Sequence, residues 1–287
     1  MASDSVGWEN KTLVQKYYDY TRHFYKWFWH GKTNALHYGF FDDSVTSFKD
    51  ALVRTISKTV ELADIQKNHR VVDLGCGIGG SVFWVAKNIG AHTTGITISG
   101  EQHKKALRLR KEYNLENHTE FTVGDFLHTP YSDEQFDRVM SIEALCHGQH
   151  VVHEVARELF RIVKSGGRIA IMDGYVGTKQ LTKSEIEDIK IFEEGLTLVH
   201  LITPTAFVDA LKEAGFQNVA FTDFTKNILP TTEKMYDLTR RWYWLTWLLV
   251  TMRLVPDLML KNNVAGQVQR NLTKSRALVY GCITAEK

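Results

Sequence analysis

In the run Arg70 to Gly80, R-V-V-D-L-G-C-G-I-G-G, an aspartate stands two residues before the first of several glycines. A short apolar strand (Val71, Val72, Leu74) would run into a glycine turn and then into an apolar helix (Val82, Phe83, Val85, Ala86). Such a unit brings backbone N–H groups and a helix N-terminus close to a ligand, an approach that side chains at the glycines would block. Gly75, Gly77 and Gly80 also fit G-x-G-x-x-G, the pattern of dinucleotide sites. Asp73 argues for a different ligand, because a carboxylate there attracts an ammonium and a sulfonium and repels a pyrophosphate. The next strand ends in Gly95-Ile96-Thr97-Ile98-Ser99, with Gln102 behind it, and offers no Asp or Glu to the ribose of a dinucleotide. Ser99 reads as a helix N-cap.

Two more groups follow strand ends: Gly124-Asp125-Phe126, and Ser141-Ile142-Glu143-Ala144-Leu145-Cys146-His147. Asp125 is either a ligand contact or a plain loop cap. Glu143 and His147 are four residues apart and would share one face of a helical turn. Beside a reactive ligand such a pair can take a proton or stabilise a cation; on an open surface it would be an ion pair. His147, His150 and His153 have a spacing open to a metal, but no cluster of Cys or carboxylate ligands accompanies them, so no metal is expected.

These positions need a scaffold that presents strand ends side by side. The chain alternates strands at 70–74, 92–97, 119–123, 136–140 and 168–173 with helices at 80–89, 100–113 and 149–163. Gly166-Gly167 reads as the turn before the last of these strands. Alternation of this kind predicts a parallel sheet with helices on both faces and a ligand at the carboxyl ends of its strands. Ahead of it, residues 44–65 form an amphipathic helix with Phe48, Leu52, Ile56, Val60 and Ala63 on one stripe. A helix at 204–214 ends at Gly215 before a strand at 216–224, and a last strand spans 276–285.

The Asp73–Gly80 run resembles the first motif of class I S-adenosylmethionine (SAM) methyltransferases. G-I-T-I-S-x-x-Q resembles the second-strand variant of those acting on sterols, tocopherols, phosphoethanolamine and unsaturated lipids, and I-E-A-x-x-H resembles the sterol C-methyltransferases. Leu36-His37-Tyr38-Gly39 and Tyr18-Asp19 are similar to the tyrosine-containing opening of the same families. The resemblance runs from about residue 17 to 225 and implies a Rossmann-like, seven-stranded, mostly parallel sheet with an aromatic-rich helical cap. It implies SAM binding by Tyr18, Tyr38, Asp73, Gly75, Cys76, Gly77, Gly79, Thr97, Ile98, Gln102, Asp125, Phe126 and Ile142. Asp125 would accept from the adenine amine while Phe126 packs on the ring, and Thr97 and Gln102 would serve the ribose. Glu143, His147 and Tyr18 are the implied catalytic residues. The implied reaction is methylation of a hydrophobic small molecule at an alkene carbon, with cyclisation open. An N- or O-methyltransferase for an amine or phenol is the alternative, and a non-catalytic SAM-binding protein is the alternative of another class.

In that fold the last two strands are joined by a short turn, whereas here residues 226–275 intervene, with Tyr236, Trp242, Tyr243, Trp244 and Trp247. The segment 10–41 is as aromatic, with Tyr17, Tyr20, Phe24 and Phe28 at helical spacing and Tyr18, Tyr25 and Trp29 on another face. Both are expected to form one apolar cap enclosing the acceptor, with Trp244 and Trp247 facing it, or to supply a homo-oligomer contact. The division expected is 1–66 as N-terminal cap segment, 67–225 as SAM-binding core, 226–275 as cap insertion and 276–287 as the last core strand.

With 287 residues and a net charge of +2, the chain suits one large domain and carries no field that calls for nucleic acid. Its three cysteines (Cys76, Cys146, Cys282) are far apart and fit a reducing, cytoplasmic setting. No apolar signal core opens the sequence, and the longest uncharged apolar run, Trp242 to Met252, is too short to span a bilayer.

Overall fold

The computed structural model describes residues 33–287, so Tyr18 and the aromatic positions up to Trp29 lie outside the described residues. Helix α1 (Phe48–Leu62) is capped by Ser47, whose hydroxyl accepts the N–H of Asp50 at 3.2 Å, and it buries Leu52, Ile56 and Val60. The alternating unit follows: β1 (Arg70–Leu74), α2 (Gly80–Asn88), β2 (His92–Thr97), α3 (Gly100–Glu112), β3 (Thr119–Val123) and β4 (Phe136–Ile142). A 3-10 segment, Leu145–Val151, leads into α4 (Val152–Ile162), β5 (Val163–Val176), α5 (Lys183–Gly195), α6 (Pro204–Glu213) and β6 (Gln217–Asp223). The chain closes with α7 (Thr225–Thr251), α8 (Asp257–Lys274) and β7 (Leu278–Glu286).

The strands form one seven-stranded sheet in the order β3-β2-β1-β4-β5-β7-β6, parallel except for β7, which runs antiparallel to both β5 and β6. Side chains alternate across it, so adjacent residues serve opposite cores. Val72 and Val139 pack with Leu159 of α4 and Phe207 of α6, whereas Val71 and Met140 pack with Ile56 of α1 and Val85 of α2. Each such fully buried side chain contributes about 1.5–3 kcal/mol of transfer free energy. The chain steps outward from β1 to β3 and then returns to place β4 on β1's other side. That reversal opens a crevice at the carboxyl ends of β1 and β4.

Three features depart from expectation. Gly166-Gly167 does not precede β5 but lies within it: Phe136 pairs with Val163 and Arg138 with Arg168, so residues 164–167 bulge out, with Gly166 at φ +74°. The strand also continues to Val176, because β7 pairs with it as far as Val176↔Leu278. Helix α5 was not expected; it opens on a capping box in which Thr182 and Glu185 satisfy each other's backbone N–H groups, a T-x-x-E signal visible in the sequence. With α7 and α8 it forms a helical layer, and its Ile189 and Phe192 share a cluster with Ala265 and Leu272 of α8.

Candidate active site

The glycine loop holds its shape through positive φ angles and contacts that leave no room for side chains. Gly75 takes φ +83°, and a Cβ there would lie 2.1 Å from Cβ of Ala144. The N–H groups of Gly75 and Cys76 both donate to the Ile96 carbonyl at 3.0 Å, and that of Gly79 donates to the Cys76 carbonyl at 2.9 Å. A Cβ on Gly80 would come within 2.6 Å of the Asn34 carbonyl, so Thr33 and Asn34 pass over the start of α2. Among the described residues the space beside Gly77 (φ +56°) is open, the atom nearest to a Cβ there being Gln102 Nε2 at 4.0 Å. The Cys76 side chain is buried against Gly95, where a Cβ would meet its Sγ at 2.6 Å.

The other expected cofactor positions lie along the same edge. Asp73 is buried and accepts from the Ser81 hydroxyl; burial pushes its pKa up to about 7 against that hydrogen bond. Thr97, at the end of β2, donates to Gln102 Oε1 at 2.6 Å, and Ile98 beyond it is half-buried. Ser99 accepts the Gln102 N–H at 3.2 Å and caps α3, as its position predicts. Asp125 Oδ1 accepts the Leu127 N–H at 2.9 Å, the loop-cap geometry, while Phe126 packs where a Cβ on Gly148 would meet its ring at 2.8 Å. Ile142 is buried as the last residue of β4. The open space beside Gly77, between the glycine loop and Gln102, fits a ligand that enters over a backbone without side chains.

Glu143 stands next to this crevice. Its N–H donates to the Met172 carbonyl at 2.8 Å, and its φ is +51°. A left-handed backbone at a residue other than glycine costs roughly 1–2 kcal/mol and is a feature that clusters at functional sites. Glu143 Oε1 accepts two hydrogen bonds, from the Tyr38 N–H at 2.7 Å and the Tyr280 hydroxyl at 2.8 Å. Tyr38 and Tyr280 meet edge to face at 5.6 Å, and the Tyr38 hydroxyl donates to Gln269 of α8. Burial pushes the Glu143 pKa up to about 8; the two donors pull it down, and the neighbouring Asp173 charge adds to the rise. Asp173, at the matching place on β5, is itself buried. Its Oδ2 accepts the Cys146 N–H and its Oδ1 the Gly174 N–H, both at 2.8 Å, and burial lifts its pKa to about 7.

Glu143 and His147 do not share a helical face. Ala144 has φ −125°, and the 3-10 segment starts only at Leu145, so the i, i+4 relation holds in number but not in geometry. Both residues nevertheless line one cavity of about 890 Å3, its mouth included. Burial lowers the His147 pKa to about 4, which keeps the imidazole neutral at pH 7. Asp173, Cys146, His37, Tyr38, Asn262 and Gln269 are the cavity's other polar lining residues, and Leu36, Phe192, Leu196, Leu201 and Met235 are among its apolar ones. Among the described residues no lysine or arginine lines it, and no group of His, Cys, Asp or Glu could hold a metal ion.

Trp244 and Trp247 do not face this cavity; they are 62% and 51% exposed. The hairpin of α7 and α8 lines the cavity near its base instead, through Met235, Asn262, Ala265, Gly266 and Gln269. Asp173, Tyr280 and Gln269 join the site without having been singled out in the sequence. Asp173 ends the apolar run of the strand expected at 168–173 much as Asp73 stands near the end of that at 70–74, a signal that was available. Tyr280 is placed by the register Gly174↔Tyr280 between β5 and β7, which no local pattern encodes.

Residues 8–240 match the mycolic acid cyclopropane synthetase family. The chain is 31% identical to methyltransferase GfsG of Streptomyces halstedii, over 69% of this chain and 72% of that one. It is also 31% identical to norajmaline N-methyltransferase of Rauvolfia serpentina, over 75% and 78%. Among solved structures, the cyclopropane synthase MmaA2 of Mycobacterium tuberculosis shares the fold at a TM-score of 0.84, with 14% identity over 99% of this chain and 100% of that one. A glycine loop led by Asp73, a cradle open beside Gly77 and these relatives agree: the chain belongs to the mycolic acid cyclopropane synthetase family and is a SAM-dependent methyltransferase.

Proposed function

We propose that this methyltransferase acts on an alkene carbon of a hydrophobic small molecule, a sterol, isoprenoid or prenylated natural product, in a cytoplasmic setting. The observation that carries the reading is Glu143, a half-buried carboxylate held by two hydrogen bonds in a largely apolar cavity that no lysine or arginine lines among the described residues. Such walls exclude water and hold an apolar acceptor, and positioning in a dry site accounts for much of the rate.

When bound, SAM supplies an electrophilic methyl carbon and a neutral thioether leaving group. In this reading Asp73 holds its ammonium, the loop Gly75–Gly79 lies along it, and Thr97, Ile98, Gln102, Asp125, Phe126 and Ile142 enclose its ribose and adenine. The acceptor's π electrons form the new C–C bond as the C–S bond breaks, leaving a cation on the acceptor. The ring of Tyr38, which lines the cavity, and the carboxylates of Glu143 and Asp173 stabilise that cation. Glu143 then takes the proton from the neighbouring carbon, which restores a double bond or closes a ring. Tyr38 and Tyr280 hold the carboxylate in place for this step, and His147, neutral at pH 7, lines the pocket beside it.

A second reading, N-methylation of an amine, is favoured by two observations: the paired carboxylates suit an ammonium acceptor, and norajmaline N-methyltransferase is a relative. There Glu143 would remove the ammonium proton before transfer. Incubation with labelled SAM and a panel of prenylated, sterol and amine acceptors separates the two. Label in a non-basic product of an unsaturated acceptor is expected; transfer only to amines would replace the first reading with the second.

A further inference from the structure

The far end of the α7–α8 hairpin takes no part in the proposed function. From Arg240 to Asn262 no residue is buried, whereas Thr239 and Asn263, which flank the stretch, are. The tip, residues 240–260, therefore stands clear of the core, with Asn262 already back against Gly195 of α5, yet it is strongly apolar. On α7, Trp244, Trp247, Leu248 and Met252 fall at i, i+3, i+4 and i+8, so they form one stripe, and all four are exposed. Tyr243 and Leu254 extend it, Leu254 being 63% exposed.

The charges around this stripe have one sign. Arg240, Arg241 and Arg253 are exposed; the nearest acids in sequence are Asp237, one turn before the first two arginines, and Asp257 at the start of α8, so the stretch from Leu238 to Pro256 carries only positive charge. Two copies of the tip facing each other across a two-fold axis would bring like charges together. An anionic lipid surface offers the opposite: phosphate groups for the arginines, and the headgroup boundary that tryptophan and tyrosine prefer.

We propose that the α7–α8 tip docks the protein on the surface of an anionic bilayer. The hairpin does not cross the membrane; no helix among the described residues is long and apolar enough to do so. The base of the same hairpin walls the cavity, through Met235 of α7 and Ala265, Gly266 and Gln269 of α8. A docked tip thus sets the cavity beside the phase in which an apolar acceptor dissolves. That consequence rests on the acceptor proposed above; the docking itself does not.

The test is flotation of the full chain with vesicles of phosphatidylcholine alone, or with about one-third phosphatidylglycerol, the fraction chosen to give a strong negative surface potential. Binding to the anionic vesicles is expected to be at least about tenfold tighter and to weaken as salt is raised. Tryptophan fluorescence should shift to the blue on binding. Arg240→Gln/Arg241→Gln is expected to remove the lipid preference, and Trp244→Ser/Trp247→Ser to lower binding to both vesicles by about tenfold or more. Both pairs lie outside the site, so circular dichroism and SAM binding should match the wild type. Absence of flotation, equal binding by wild type and both variants, or a dimer in vesicle-free solution that the tryptophan substitutions dissolve would each overturn the proposal. The vesicles contain no acceptor, so failure of the acceptor panel leaves this result intact.

Discussion

The hydroxyl of Tyr280 donates to Glu143 Oε1 at 2.8 Å, so the last strand of the sheet reaches across β5 to hold a carboxylate at the end of β4. A donor to a carboxylate favours its charged form. Tyr280→Phe removes that donor, and the Glu143 pKa, already pushed up to about 8, should rise further. If the ionised carboxylate is the base, the acid limb of the pH–rate profile moves to higher pH. The rate at pH 7 then falls about tenfold for each unit of movement. An unmoved acid limb would mean that another group limits the rate.

Asp173→Asn should act in the opposite direction. The Asp173 charge raises the Glu143 pKa, and an amide of the same shape keeps an acceptor for the Cys146 or Gly174 N–H. The acid limb is expected to shift to lower pH. If Asp173 also holds the cationic acceptor, KM for an amine rises while the limb still moves. A changed KM with a fixed limb would assign Asp173 to binding alone.

Much of this site could be read from the chain because its signals are local. Glycines at a strand end, the acid before them and the alternation of strands and helices each sit within a few residues. The loop's close approach of Gly75 to Ala144 is the physical reason for that glycine. The Glu143–His147 face could not be read, because it depends on Glu143 adopting a left-handed φ before the 3-10 segment begins. Gln269 and Tyr280 reach the site through helix docking and strand register, which sequence spacing does not carry. Trp244 and Trp247 show the limit of composition: an inward cap and an outward tip are equally apolar on paper.

Stability should decline as pH rises between about 4 and about 8, most plainly above about 6.5, where His147 no longer opposes it. Glu143, Asp173 and Asp73 hold their protons to about 8, about 7 and about 7 in the fold, whereas unfolded carboxylates release theirs near about 4. Between those values the folded chain binds more protons than the unfolded one, so each step up in pH costs stability. The depressed His147 acts below pH 6.5, where the unfolded chain takes up its proton first. Thermal unfolding of the ligand-free protein should therefore show a midpoint that falls from about pH 6.5 to about pH 8, and Glu143→Gln should flatten that slope. A midpoint constant over this window would place the carboxylates in better-solvated surroundings.

SAM binding should depend on Asp73 far more than on the acceptor side. Asp73→Ala is expected to weaken SAM by about 1–3 kcal/mol, the loss of a charge-assisted hydrogen bond. The Ser81 hydroxyl would also lose its acceptor, so Asp73→Asn serves as the milder control. Calorimetric titration with SAM measures both. Unchanged affinity in Asp73→Ala would show that the carboxylate shapes the loop and does not touch the ligand.

Glu143→Gln separates catalysis from cofactor binding most cleanly. The amide keeps the size of the side chain, and its oxygen can still accept from the Tyr38 N–H and the Tyr280 hydroxyl, so the loop over the site should remain in place. What it loses is the ability to take a proton. Glu143 lies at the strand end next to Ala144, on which Gly75 of the glycine loop packs, and SAM should bind the variant within about threefold of wild type, since no charge that faces the cofactor in this reading is removed. Loss of a positioned base costs about 10²–10⁴ in rate, and the loss should appear in kcat with the true acceptor. The surviving activity should also lose the acid limb near pH 8, because the group that produced it no longer titrates. Turnover at the wild-type rate would make Glu143 a structural anchor for Tyr38 and Tyr280. The proton would then have to go to Asp173, the one other carboxylate among the described residues that line the cavity.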